Sequence, residues 1–182
     1  MTLDDALADV GIAFLQVEFS IKLLSYCEFD RIRPAEFDTH QVVLLEQENL
    51  AFPTGHFSTQ EKIVQAAMVA VSLALAGSAL TLDKAWEIAG IPPDPHSADG
   101  EVKLRTLVHM VRCAYAHGVA DPKWEVHGDY RQVLELNLAN GALPLDLREL
   151  HGRSFDFAQI GGHASWFEIR DGSLAALARW VR

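Results

Sequence analysis

Apolar residues recur at helical spacing from the first turns of the chain. Leu3, Leu7, Val10, Phe14, Val17, Ile21 and Leu24 lie three or four residues apart and predict a helix from Leu3 to about Tyr26. Thr2 and Asp5 at the start of this run have the spacing of a capping box. The pattern is lost between Cys27 and Phe57, where Pro34 and Pro53 interrupt any helix. Within that stretch Val42-Val43-Leu44-Leu45 reads as a short strand.

A second helix is announced by Ser58-Thr59-Gln60-Glu61, a capping box directly ahead of an apolar run. It is expected to continue to about Ala79. Thr81 then caps a further short helix, Leu82 to Ala89, which stops at Gly90 ahead of Pro92. Ile91 to Ser97 holds three prolines and reads as a loop. From Gly100 to His117 the spacing is again helical. Leu104, Leu107, Val108, Val111, Ala114 and Tyr115 share one face, and Gly118 is placed to terminate the helix.

The periodicity then changes from helical to alternating. Leu134, Leu136 and Leu138 fall on one side of an extended segment, and Leu143, Leu145 and Leu147 form the matching side of a return strand. Asn140-Gly141 between them is a two-residue hairpin signal. Pro144 places the return strand at an edge. Ser165 to Ile169 reads as another strand and Gly172 to Val181 as a closing amphipathic helix. The fold class expected from this order is mainly α, or α+β. A helical body is followed by a small C-terminal antiparallel β appendage and a closing helix.

Composition narrows the functional classes. The 182 residues are 49% hydrophobic and 22% charged, enough for a substantial core and unlike a disordered chain. The formal net charge of −10 opposes binding of nucleic acid over the whole surface but allows a local cationic site. Cys27 and Cys113 are the two cysteines, far apart and in no metal-binding spacing. They and the acidic Thr2-Leu3-Asp4-Asp5 start fit a cytoplasmic protein. Ile63 to Leu82 carries no charged residue and is just long enough to cross a bilayer. Its apolar residues are largely alanine, interrupted by Gln65, Ser72, Gly77, Ser78 and Thr81, so it reads as a buried core helix and no membrane association is expected.

The most chemically suggestive stretch is Arg112-Cys113-Ala114-Tyr115-Ala116-His117-Gly118, at the end of the third predicted long helix. Arginine offers a permanent cation with a rigid fork of donors. Histidine exchanges a proton near neutral pH. On an ideal helix two residues five apart point about 140° from one another, so Arg112 and His117 converge most readily when two copies of the helix meet.

An arginine, four intervening residues and a histidine at the end of a long helix resemble the signature of the HEPN superfamily. The resemblance covers Arg112 to His117 as motif and Leu3 to Gly118 as architecture. It implies a HEPN-like helical bundle over residues 1–120. Residues 121–182, read from the periodicity and outside the family's common core, add a β-hairpin appendage and a C-terminal helix packed on the bundle as one domain. Many HEPN proteins are metal-independent ribonucleases, and others bind nucleotides or serve as scaffolds. The resemblance therefore implies an endoribonuclease or RNA-binding protein that works without a cofactor, with Arg112 and His117 as catalytic residues. It also implies a homodimer, and an antitoxin-like protein partner in a toxin–antitoxin or defence pair. Cys113 stands where the family commonly has asparagine or another polar residue, a departure that favours the alternative of a non-catalytic dimerisation or binding module.

Other residues extend or compete with this reading. Arg105 and His109 lie on the same side of the helix as Arg112, at i, i+4 and i+7. They either extend a substrate-binding phosphate stripe or form an ordinary polar face. Arg112 itself is otherwise a partner for Glu101 or Asp121, and His117 a histidine favoured at a helix C-terminus. Cys113 points away from the apolar face, with nothing in its surroundings marking it as a nucleophile. His109, His117 and His127 are too widely spaced for a local metal-ligand pair, and His151 and His163 lack a carboxylate at motif spacing, so no metal site is expected. Trp124, Phe155, Phe157, Trp166 and Phe167 are expected to join the C-terminal strands to the helices.

Overall fold

The computed structural model describes every residue except Leu45, Gln47, Glu48, His117, Asn140, Val181 and Arg182. Its helices are α1 (Leu3–Glu28), α2 (Pro34–Phe37), α3 (Gln60–Ile88), α4 (Gly100–Ala114) and α5 (Gly162–Trp180). Two antiparallel hairpins accompany them: β1 (Gln41–Leu44) with β2 (Asn49–Phe52), and β3 (Val133–Leu138) with β4 (Gly141–Asp146). The fold is mainly α, with a C-terminal β-hairpin and a closing helix, as the periodicity predicts.

Local signals account for most of these boundaries. The Thr2 amide donates to Asp5 Oδ2 (2.8 Å) and the Asp5 amide to Thr2 Oγ1 (3.2 Å), the reciprocal pair that satisfies donors at the start of α1. Thr59 Oγ1 accepts from the Lys62 amide (3.4 Å) at the start of α3. Gly90, at φ +74°, ends that helix, and the Ile91 amide returns to the Trp86 carbonyl (3.2 Å). Asp99 caps α4 by accepting from the Glu101 amide (2.7 Å).

Three expectations are corrected. First, α3 is continuous through residues 79–82. The Thr81 hydroxyl donates back to the Gly77 and Ser78 carbonyls (3.1 Å each) instead of capping a new helix. Second, Ser165–Ile169 is helical. It belongs to α5, whose buried Trp166, Ile169, Ser173, Ala176 and Leu177 keep three- and four-residue spacing. Third, α4 ends at Ala114 with Tyr115 as its C-cap in the right-handed region, and Gly118 is not among the positive-φ glycines. The Ala114 carbonyl is instead satisfied by the Lys123 amide (2.9 Å) after the chain reverses.

The chain divides into two compact units, with boundaries inside α1 and α3. One comprises Gln16–Ala74. Its buried cluster is Cys27, Ile63 and Ala67, against which Leu23, Leu24, Ile32, Phe57 and Val64 pack. The β1–β2 hairpin belongs to this unit, and every residue of both strands is exposed.

The other unit comprises Met1–Leu15 and Leu75–Arg182. Here α4 packs against α5 and β3. Leu134, Leu136, Leu145 and Leu147 turn one face of the β3–β4 region inward. Register pairs Val133 with Asp146 and Leu138 with Gly141, and Pro144 sits opposite Glu135 on a two-stranded sheet, where both strands are edges. Asn140, the first residue of the expected two-residue hairpin signal, lies outside the described residues.

Aromatic rings tie this unit together, as the sequence suggests. Trp124 meets Phe155 (5.0 Å between centroids), Phe155 meets Phe157 (4.9 Å), and Phe157 meets Trp166 (5.9 Å). Phe14 of α1 continues the series onto Trp166 and Phe167 (6.0 and 5.6 Å). The Trp166 indole donates to Ser78 Oγ (2.9 Å) in the interior, so this series satisfies its polar atom as well as burying apolar area.

α3 is the one helix among the described residues long and apolar enough to cross a membrane. Of its most apolar window, 39% is buried within the protein.

Candidate functional site: a cationic cleft at the end of helix α4

Arg105, His109 and Arg112 lie along one side of α4, and the structure gives that stripe a focus. All three approach the carboxylate of Asp83 on α3. Arg105 Nη1 donates to Asp83 Oδ1, His109 Nδ1 lies 3.4 Å from the same oxygen, and Arg112 Nε lies 3.8 Å from Oδ2. The His109 approach is an ion-pair distance without hydrogen-bond geometry, leaving Nδ1 buried with no hydrogen-bond partner among the described residues. Burial pushes the Asp83 carboxyl up, but His109 and Arg105 outweigh it and the net direction is down.

This arrangement separates the roles of the two arginines. Arg105 is 2% exposed. Its Nη1 is bound to Asp83, and its Nε donates to the Ile91 carbonyl (3.0 Å). A buried guanidinium committed to internal acceptors is not placed to receive a phosphate from solvent, so the expected substrate contact by Arg105 is corrected to an internal anchor for Asp83. Arg112 keeps 41% of its side-chain exposure. Neither sequence partner considered for it is used. Glu101 accepts from Arg179 Nε and Trp180 Nε1 (3.0 Å each), whereas Asp121 lies 3.3 Å from Lys123 Nζ.

Beside Arg112 opens a cleft of about 270 Å³. α4 contributes His109, Met110, Arg112 and Cys113, and the chain beyond it contributes Ala116, Glu125, His127 and Tyr130. Tyr130 ends a short 3₁₀ turn, Gly128–Tyr130, and its ring stands 5.9 Å from that of His109. His127 Nε2 is 3.0 Å from Glu125 Oε2, and its ring is 4.3 Å from that of His151. The return of residues 122–126 alongside 152–155 holds this wall: Trp124 donates to the Arg153 carbonyl (2.9 Å) and Phe155 to the Pro122 carbonyl (2.8 Å).

Cys113 is the residue sequence reasoning underrated. Its Sγ lies 3.6 Å from His109 Nε2, one helical turn away. The Asp83 carboxylate, then Cys113, then the opposing cost of burial set the charge on His109, whose pKa is pushed up to about 9. Burial pushes the Cys113 thiol up, but His109 and Arg112 outweigh it and leave it below the ordinary thiol value. The i, i+4 spacing of His109 and Cys113 was the available signal. Tyr115 behaves as expected of the apolar face: it packs edge-on against Phe155 (5.7 Å), and burial pushes its phenol up.

His117, the second residue of the expected catalytic pair, lies outside the described residues. Among the described residues, no group of three or more His, Cys, Asp or Glu is placed to hold a metal ion. Comparison of the chain with family models, with characterised proteins and with solved structures gives no match.

Proposed function

We propose that this chain is a HEPN-like, metal-independent endoribonuclease or RNA-binding protein of the cytoplasm, belonging to a toxin–antitoxin or defence system. One observation carries the reading. In a chain of net charge −10, Arg105, His109 and Arg112 gather about the single carboxylate of Asp83, and the exposed member, Arg112, lines an open cleft. With Glu125 across the cleft beside His127, the cationic groups still outnumber the two carboxylates, Asp83 and Glu125, and favour a phosphodiester on an otherwise acidic protein.

In this reading Arg112 binds the scissile phosphate and stabilises charge as the pentacoordinate state forms. His117 serves as acid/base, a role that rests on the motif resemblance. The ribose 2′-hydroxyl loses its proton and attacks the adjacent phosphorus, and the 5′-oxygen leaves and takes up a proton. The products are a 2′,3′-cyclic phosphate and a 5′-hydroxyl. His109, held as an imidazolium by Asp83, adds positive charge at the cleft wall. The test is cleavage of labelled RNA in EDTA. Wild-type protein should cut, and Arg112→Ala and His117→Ala should each lose activity by about a hundredfold or more. Cleavage undiminished in both variants rejects the reading.

A second reading, a non-catalytic dimerisation or binding module for a protein partner, has its own support. Ile12, Leu15 and Phe19 on α1 and Met68, Val69 and Leu73 on α3 are large apolar side chains left exposed. Inert RNA combined with concentration-dependent self-association or capture of an antitoxin-like partner would favour it.

A further inference from the structure

Asp83, His109 and Cys113 stand in a row. Asp83 Oδ1 is 3.4 Å from His109 Nδ1, and His109 Nε2 is 3.6 Å from Cys113 Sγ. Each ring nitrogen therefore faces one partner, the carboxylate on one side and the sulfur on the other. Behind Asp83, Arg105 fixes the carboxylate and is itself tied to the Ile91 carbonyl. In front, the sulfur borders the open cleft. A carboxylate, an imidazole and a thiol in this order form the arrangement that activates a nucleophile.

We propose that Cys113 is a nucleophilic thiolate, aligned by His109 and Asp83, and that this cleft is an oxidation site for small hydroperoxides. The inference stands on Cys113 and its neighbours and does not depend on the phosphodiester reading. The reaction is complete with the groups at hand and the peroxide. Cys113 Sγ, as thiolate, attacks one peroxide oxygen, and an S–O bond forms as the O–O bond breaks. Sulfur is oxidised to sulfenic acid and the peroxide is reduced. The departing hydroxide or alkoxide takes the proton of the His109 imidazolium, giving water or an alcohol.

The charged surroundings suit this step. From α4 the sulfur is faced by His109 and Arg112, and from α3 Asp83 lies behind the imidazole. Across the cleft stand Glu125 and His127, held 3.0 Å apart, and the Tyr130 phenol, which burial pushes up and keeps neutral. His109 and Arg112 outweigh burial in stabilising the thiolate. Cys27 provides a contrast within the same chain. It is 1% exposed, and burial pushes its thiol up, so it should be inert.

The test uses the full-length chain with hydrogen peroxide, dimedone to trap sulfenic acid, and peptide mass spectrometry. Cys113 should be labelled at least about tenfold faster than Cys27, and faster than Cys113 itself in urea-unfolded chain. His109→Gln should slow Cys113 by about tenfold while circular dichroism stays unchanged. Iodoacetamide alkylation of Cys113 across pH gives a readout independent of peroxide, and its midpoint should lie below that of the unfolded chain. A Cys113 rate and midpoint equal to those of unfolded chain, or a folded His109→Gln variant that reacts as fast as wild type, overturns the proposal.

Discussion

Asp83 and Arg105, 22 residues apart on α3 and α4, form an ion pair with side chains 4% and 2% exposed. Removing one partner leaves the other charged and buried, which costs about 3–5 kcal/mol. Asp83→Asn should lower unfolding free energy in urea by that amount. Replacing both by apolar residues, Asp83→Leu with Arg105→Met, should cost less than the sum of the single changes. A loss under about 1 kcal/mol for Asp83→Asn would mean that the pair is not buried as described.

His109 should make stability depend on pH on the alkaline side. Its folded-state pKa of about 9 lies above its ordinary 6.5, so its contribution is complete below pH 6.5 and lost as pH rises through 9. Cys113, with a lowered thiol, acts in the opposite sense near the upper end of that window, so the slope is best read in Cys113→Ser. Stability of that variant should fall by roughly 1–2 kcal/mol between pH 6.5 and 9, discounted from the full linkage because its thiol partner is gone and the ring is partly exposed. Adding His109→Gln should flatten the curve. A curve that rises with pH, or is flat before the second change, contradicts the pairing.

Ser78 supplies a purely structural control. Ser78→Ala removes the acceptor of the buried Trp166 indole and should destabilise by about 1–3 kcal/mol, measured by thermal or urea unfolding. The change leaves the cleft untouched, so RNA cleavage and Cys113 reactivity should survive at temperatures where the variant is folded. Activity lost in a folded Ser78→Ala protein would indicate that the cleft is wrongly located.

How much the sequence revealed depends on whether the determining contact is local. Thr2 with Asp5 and the alternation around Leu134, Leu136 and Leu145 set structure within a few residues, and both were legible. Thr81 misled because its hydroxyl satisfies helix carbonyls as readily as it caps a new helix. Ser165–Ile169 was obscured by its β-compatible residues Trp166, Phe167 and Ile169, whereas the spacing of Trp166, Ile169 and Ser173 fits a helix. Within the site, the shared side of Arg105, His109 and Arg112 was readable. Their common partner on α3 was not, because nothing in local spacing points to a carboxylate 22 positions before Arg105. That distant contact buries Arg105 and leaves Arg112 to face the cleft.

We propose a homodimer that uses the polar side of α4, so that Arg112 of one copy serves His117 of the other. Sizing at micromolar concentration should show a dimer, and Arg112→Glu should weaken it measurably by placing a carboxylate in the contact. A wild-type monomer under those conditions rejects a composite site, and a dimer indifferent to Arg112→Glu places the contact elsewhere.

The ends of the RNA products report on the chemistry at Arg112 and His117. Wild-type protein and a defined oligoribonucleotide in EDTA should give fragments that end in a 2′,3′-cyclic phosphate and begin with a 5′-hydroxyl, identified by mass spectrometry. The same oligonucleotide with a 2′-deoxy residue at the cut position should resist. Products with a 5′-phosphate, cleavage of the 2′-deoxy substrate, or no cleavage in excess of His117→Ala would contradict the account.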